Sequence, residues 1–558
     1  MMINVTFGLI VLGLVSIFGA HAQEERFTWI CEGEEKTISC PSGQALHVLA
    51  SRYGRKRRSG ICTADMVTVP RECWVDTFDH VRQLCQDRQR CTILANNDIN
   101  GDPCPDNPQD VPRTMRVEYR CQVPGGGGGE WERPNGRAFQ VSNSLDILLA
   151  QETMTPGDYM IMRDGDWNDA AIVLTASGAE GAGNKIYLMS ETDGGSVLRG
   201  RSSISVIGSH VEIRGLRFDG SGSNLRTGVT FEKGSRNGRL TNSAFTGWSR
   251  TDESKQHWVE IWGDDHVIDW NSFMGKEGLG QLVRVKCDAN EPSSSGHLIA
   301  HNFFGPREVT LSADDGEGIQ IGLEQCEFDN TSTIVEFNYF YQYDGEIESI
   351  SVKASHNVIR FNTFEDSASL VTLRHTDNTL VEGNYFLCRE KSGCGGVRVM
   401  GRNHMILNNY MELERGTGGV RGGVSMHSGD NTSGSRRSAD ECIVERNVMV
   451  NCKNCLLIGS SDTDANYPTD NFYSRNVQQG FSSSAYLIRH RDSNGQIFIE
   501  NIMHTGRIEN QEEFGYGINQ TDPRFVYDDT LGIYRPSVVS WTMTHPQRTR
   551  ETTGARWL

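Results

Sequence analysis

Residues 338–411 read NYFYQYDGEIESISVKASHNVIRFNTFEDSASLVTLRHTDNTLVEGNYFLCREKSGCGGVRVMGRNHMILNNYM. Asparagine, a small or aromatic residue and an apolar residue recur in it at Asn338-Tyr339-Phe340, Asn362-Thr363-Phe364, Asn384-Tyr385-Phe386 and Asn409-Tyr410-Met411. The motif extends outward in both directions, to Asn271-Ser272-Phe273 and Asn302-Phe303-Phe304 upstream and to Asn447-Val448-Met449 and Asn476 downstream. Successive asparagines are 31, 36, 24, 22, 25, 38 and 29 residues apart. A short strand cannot bury an apolar face alone, so a repeat of this length must stack on its neighbours. The intervals of 22 to 25 residues suit one coil of a parallel β-helix, and the longer ones suit a coil with an inserted loop. Asparagines one coil apart can hydrogen-bond as a ladder at the strand spacing of about 4.8 Å, which makes them structural. Val358, Phe361 and Phe364 then fill the interior. Helical periodicity is confined to Leu145–Gln151, a candidate cap for the first coil. The expected fold is all-β dominated, a right-handed parallel β-helix. A β-propeller, with a period of about 40 residues or more, fits these intervals badly.

Ahead of the repeats the composition changes. Val5 to Phe18 is almost wholly apolar and Ala20-His21-Ala22 is a small-x-small cleavage site, so residues 1–22 read as a signal peptide. No later apolar run reaches the roughly 18 residues of a membrane span. Eight of the 15 cysteines lie between Cys31 and Cys121, an even number that predicts four disulfides in an exported module spanning residues 23–122. No cysteine or histidine spacing there suits zinc. The other seven, from Cys287 to Cys455, leave at least one unpaired; Cys388/Cys394 and Cys452/Cys455 are local candidates. Gly125 to Gly129 form the centre of a flexible linker, residues 123–134. The repeats occupy 135–558. Sequons at Asn330, Asn431 and Asn519 fit secretion, and the net charge of −18 argues against a nucleic-acid partner.

Within the repeats, an apolar residue followed by a cation recurs at Val352-Lys353, Leu373-Arg374 and Val397-Arg398, 21 and 24 residues apart. If the apolar members point inward, alternation sends the three cations outward in a line. Aligned like charges repel, so such a file implies an anionic ligand. Asp314, Glu346 and Glu348 supply carboxylates nearby, an oxygen set suited to a hard cation such as Ca²⁺. Lys353 lies an odd number of positions from Glu346 and Glu348, so sharing one face requires a bend near Ser349.

Two resemblances follow from these motifs. Cys31-Glu32-Gly33, Tyr53-Gly54-Arg55, Gly101 to Cys104 and Val117 to Cys121, with the eight cysteines, resemble the galactose/rhamnose-binding lectin domain of sea-urchin eggs. That resemblance implies a small disulfide-rich α/β lectin domain whose sugar is held by Glu32, Tyr53, Asn97 and Asp102. Here Arg113 stands where the family has lysine, and a basic run, Arg55-Lys56-Arg57-Arg58, follows the tyrosine-glycine pair. Downstream, Asp344 to Lys353, Asn362 to Phe364, Leu370 to His375, Gly395 to Gly401 and Asn408 to Met411 resemble polysaccharide lyase family 6, which contains alginate lyases and chondroitinase B. Asp314 to Gly322, Pro156 to Asp158 and Val206 to Phe218 extend that likeness over nearly all of the second module.

The lyase resemblance implies Lys353 as Brønsted base and Arg374 as acid. Glu346 and Glu348 would bind Ca²⁺, with Asp314 where the family usually has asparagine. His375 and Arg398 would hold sugar carboxylates. The implied reaction is β-elimination on an anionic polysaccharide, leaving a C4–C5 double bond. Gly395-Gly396-Val397-Arg398 follows the alginate-lyase pattern, whereas Arg374-His375-Thr376-Asp377-Asn378 departs from it. Alginate is therefore the first expected substrate and dermatan or chondroitin sulfate the second. A carbohydrate-binding β-helix without catalysis would have lost part of the Lys/Arg/Glu/Glu set. A hydrolase on this fold would need an uncommitted acidic pair, and none stands out.

Overall fold

In a computed structural model, residues 25–122 are described in part. Residues 134–558 are described apart from short stretches, the longest being 414–419, 431–436, 460–465 and 511–516. The signal segment, the glycine linker and Asp102 lie outside the described residues. The chain divides into two compact units between Arg133 and Pro134.

In the first unit, strands Glu25–Cys31, Thr114–Gln122, Ala45–Arg55 and Cys73–Asp76 form an antiparallel sheet in that spatial order, and Glu35–Ser39 pairs with Arg90–Leu94. Its core is small: Ile30, Leu46, Val48, Ile93, Met115 and Val117 are buried. Four disulfides supplement it, Cys31–Cys62, Cys40–Cys121, Cys73–Cys104 and Cys85–Cys91. Cross-links limit the freedom of the unfolded chain, which matters most where little apolar area can be buried.

The second unit is a parallel β-helix. Three parallel sheets of 14, 14 and 13 strands run its length, each coil contributing one strand to each. Parallel strands joined by crossovers take the right-handed sense. The helix Ser144–Gln151 stands at the first coil, N-capped by Asn143, whose side chain accepts from the N–H groups of Leu145 and Asp146. It buries Ile147 and Ala150. Inside, Phe218, Phe245, Phe273, Phe304, Phe340, Phe364 and Phe386 stack coil upon coil with centroids 4.3 to 5.4 Å apart. Phe361 turns out to belong to an outer stack with Phe337, and Val358 is half-buried on the outer face while Ile359 takes the interior position, leaving Phe364 inside as expected. Cys388–Cys394 and Cys452–Cys455 are bonded, Cys287 pairs with Cys326, and Cys442 is a buried free thiol.

The expected ladder runs through nine coils, Asn271, Asn302, Asn338, Asn362, Asn384, Asn409, Asn447, Asn476 and Asn501. Each Nδ2 donates to the next Oδ1 at 2.9 to 3.1 Å. The residue before each rung turns the corner with positive φ: Trp270, His301, Phe337, Phe361, Gly383, Asn408, Arg446, Arg475 and Glu500. A left-handed conformation costs a non-glycine residue about 1 to 2 kcal/mol. The ladder offsets that cost, because each side chain also satisfies backbone groups of the corner, as Asn362 does for the Asn338 N–H at 2.9 Å and the Val335 carbonyl at 2.9 Å.

Candidate active site

The site lies on the outer face of the third sheet, on strands Val283–Val285, Ile319–Gly322, Glu348–Lys353, Leu370–Leu373 and Val397–Val399. Val352, Leu373 and Val397 are buried as the alternation requires, and Lys353, Arg374 and Arg398 are half-buried on the outside. Val352 pairs with Leu373, so Lys353 and Arg374 are adjacent in one outward file.

Arg398 departs from the expected line. Val371 pairs with Val397 and Thr372 with Arg398, which sets Arg398 in the neighbouring outward file. The loop before it adds residues, so the apolar–cation pair re-enters the sheet two positions early. A two-residue shift preserves the face. Arg398 therefore still reaches the site: its Nη1 lies 3.7 Å from Glu348 Oε1, and Arg374 Nη1 lies 3.5 Å from the same oxygen.

The bend at Ser349 is present as a bulge. Glu348 pairs with Leu370 and Ile350 with Val371, so one residue is extra between them. A bulge re-aims the side chains that flank it, and it brings Glu348 and Lys353 to the same side. Glu346, Glu348 and Glu317 then converge, with one carboxylate oxygen of each within 4.8 Å of the others. Among the described residues this is the group that could hold a metal ion. Glu317 was not singled out in the sequence. Its signal is register: Ile319 pairs with Ile350, which places Glu317 beside Glu348. Asp314 is exposed and outside this triad, although its charge helps to raise Glu346.

Burial and the charges of Glu317 and Glu348 push the Glu346 carboxyl up to about 9. Burial and Glu348 likewise push Glu317 up. Lys353 opposes both shifts, so its ammonium faces the triad. Glu348 Oε1 is buried without a hydrogen-bond partner among the described residues. Crowded carboxylates with an unsatisfied inward oxygen fit a hard cation, which would neutralise the repulsion and take oxygen ligands from all three.

The loop that carries Glu317 is tied down from behind. The buried Arg307 guanidinium donates to the carbonyls of Glu317, Gly278 and Gly280 and to Tyr343 Oη at 2.8 to 3.1 Å. Tyr343 Oη donates in turn to the Gly316 carbonyl at 3.0 Å. Gln281 Nε2 donates to Glu317 Oε2 at 2.7 Å.

His375 is buried and turned towards Glu324 and Glu327, at 3.5 and 3.9 Å. Burial depresses its pKa, with Arg374 and Lys353 adding to the effect. His427, which the sequence did not point to, occupies the file of Lys353 and Arg374 two coils beyond Arg374. Its Nδ1–H donates to the Ser428 carbonyl at 2.8 Å, leaving Nε2 to accept from Arg398 Nη2 at 3.2 Å. One arm of the Arg398 fork is thus hydrogen-bonded to His427, while the Glu348 charge stands 3.7 Å from the other.

In the first unit Glu32, Tyr53 and Asn97 come together. Tyr53 Oη donates to Asn97 Oδ1 at 2.9 Å, and Glu32 accepts from Asn97 Nδ2 at 2.5 Å and from the Arg113 N–H at 2.8 Å.

Fold and site together define a parallel β-helix with a cationic groove over a carboxylate triad, joined to a small disulfide-bonded module. The chain belongs to the Chondroitinase B family, whose model matches residues 141–503, and it carries a D-galactoside/L-rhamnose binding SUEL lectin domain over residues 38–121. The lectin part is 38% identical over 94 residues to the L-rhamnose-binding lectin ELEL-1 of Echinometra lucunter, covering 16% of this chain and 86% of that one. It is 37% identical over 95 residues to the D-galactoside-specific lectin of Heliocidaris crassispina, again 16% and 86%. The β-helix is similar to the structure of the PL6 family alginate lyase AlyGC, with a TM-score of 0.69 and 26% identity over 75% of this chain. The present chain spans 59% of the length of that enzyme. A mannuronic acid-specific family 6 lyase from human gut microbiota shares the fold, with a TM-score of 0.60 and 24% identity over 69% of this chain and 91% of the other.

Proposed function

We propose that this protein is an exported, calcium-dependent polysaccharide lyase that cleaves a uronate polymer, alginate first, by β-elimination. The observation that carries the reading is the adjacency of Lys353 and Arg374 in one file above Glu317, Glu346 and Glu348. A uronate C5–H is weakly acidic, and its removal places further charge on the sugar carboxylate. Ca²⁺ held by the triad would neutralise that carboxylate and so lower the barrier. Lys353 Nζ takes the C5 proton. Arg374 gives a proton to the departing 4-oxygen as the C4–O bond breaks, and the electron pair of the C5–H bond becomes the C4–C5 double bond. Arg398, its fork hydrogen-bonded to His427 and attracted by Glu348, offers N–H donors to a neighbouring carboxylate. Alginate has a carboxylate on every sugar, which favours it over dermatan or chondroitin sulfate. The family's own description keeps the sulfated polymers as the second reading.

The apolar N-terminal stretch, the disulfides and the lectin domain support export. A galactose- or rhamnose-type glycan bound by Glu32, Tyr53, Asn97 and Asp102 would raise the local concentration of the lyase at that surface. The test is incubation with alginate and with dermatan sulfate, with and without chelator, beside Lys353→Ala. Ultraviolet-absorbing unsaturated ends are expected from the wild type, and at least about 10²-fold fewer from the variant. No unsaturated product from any uronate polymer, or full activity in Lys353→Ala, overturns the reading.

A further inference from the structure

The outward file that carries Lys353 and Arg374 continues towards the N-terminal coils. Lys353 pairs with Gly322, and the registered neighbours Val285–Ile321, Ile261–Val285 and Phe231–Ile261 continue the file through Lys286, Trp262 and Glu232. Gly322 has no side chain and a φ of +76°, and a Cβ there would stand 2.6 Å from Ala354 Cβ. The file therefore has a notch between Lys353 and Lys286.

Beyond the notch the cations gather again. Lys286 Nζ lies 5.1 Å and Lys233 Nζ 4.8 Å from the centroid of the half-buried Trp262 ring, and Lys233 Nζ also donates to Asp288 Oδ2 at 2.8 Å. In the adjoining file Arg284 Nη1 meets His257 Nε2 at 3.2 Å. Arg284 and Lys286 share one oxygen of Glu260, each at 3.8 Å, longer than a hydrogen bond. Arg284 Nε and His257 Nδ1 are buried with no hydrogen-bond partner among the described residues. Burial and Arg284 hold the Lys286 ammonium below its ordinary range. Buried donors without acceptors are costly, and the repulsion between Arg284 and Lys286 is countered in part by Glu260 and Asp288. A carboxylate entering along the groove would relieve both, and the indole offers an apolar face to a sugar ring.

We propose that Lys286, Lys233 and Trp262 form a distal subsite that grips a second uronate of the bound polymer and sets the enzyme's preference for long chains. At a strand spacing of about 4.8 Å, Lys286 stands roughly 10 Å and Trp262 roughly 14 Å from Lys353 along the axis. A pyranose unit is comparable in length to one coil, so the contact falls about two to three sugars from the cleaved bond. This subsite rests on the lyase reading above.

The experiment uses the full chain with oligouronates of defined length, from trimer to octamer. Lys286→Gln and Lys233→Gln should each lower kcat/KM on octamers about tenfold, the loss of one charge-assisted contact, and on trimers far less. Dissociation constants from calorimetry on Lys353→Ala, with and without Lys286→Gln, give the same comparison without turnover. An equal effect at every length, or none at any length, overturns the subsite. If the wild type yields no unsaturated product, the lyase reading fails. The calorimetric comparison then decides the subsite separately: weaker binding of octamers alone supports it, and unchanged octamer binding ends it.

Discussion

The corner between the first and second sheets and the outer face of the third sheet belong to the same coils, yet they are built on opposite rules. At the corner one residue type repeats nine times, Asn271 to Asn501, and every rung satisfies its neighbours. On the outer face of the third sheet no single residue type runs from coil to coil: the file of Lys353 reads Trp262, Lys286, Gly322, Lys353, Arg374. Glu317, Glu348 and Lys353 crowd together, a bulge interrupts the register and buried polar atoms lack hydrogen-bond partners among the described residues. The corner relieves backbone strain in each coil, whereas the groove accumulates unfavourable electrostatics that a ligand would relieve. Repetition marks what holds the fold, and departure from it marks where the fold acts.

That contrast is open to attack from both sides. Asn362→Ala should carry the largest stability cost, about 3 kcal/mol, since it strands the buried Asn338 N–H and removes the side-chain bonds to Asn338 Nδ2 and the Val335 carbonyl together. Denaturant midpoints measure it, and activity per folded molecule should persist; a change in KM without one in midpoint would break the distinction. Next, Glu317→Gln should weaken calcium binding about 10- to 100-fold by calorimetry, while Asp314→Asn weakens it less. The metal-free Glu317→Gln protein should melt higher than wild type, because a repelling buried charge is gone. A metal-free protein that melts lower would place Glu317 with the structural residues.

The smallest expected effect is a slope. Glu346 is held up to about 9 in the folded chain against an ordinary 4.5. Between those values the folded state binds the extra proton, so metal-free stability falls as pH rises through the window and levels off above it. Calcium should flatten that slope and release a proton on binding below about pH 9. Thermal midpoints against pH, compared with Glu346→Gln, isolate the contribution. An identical slope in the variant would remove Glu346 from the site's electrostatics.

Much of this was legible beforehand, for reasons that differ by residue. The Asn ladder and Phe stack repeat in sequence because they repeat in space. Lys353 and Arg374 were readable because their coils are the shortest, so period and register coincide. The Ser349 bulge was readable because an odd separation between functional residues contradicts strand alternation. Arg398 was misplaced by two positions because a loop inside the coil changes spacing without changing register. Glu317 and His427 were missed because their significance lies in what stands one coil away.

The amino-acid sequence alone determined a stacked β-repeat behind a disulfide-bonded module, since periodicity, cysteine parity and a glycine run are local properties of the chain. Only the tertiary structure decided which carboxylates meet, which cations share a file and what orients the Arg398 fork. Those contacts join residues about 20 to 50 positions apart through hydrogen-bonded register, and inserted loops hide that register from any count along the chain.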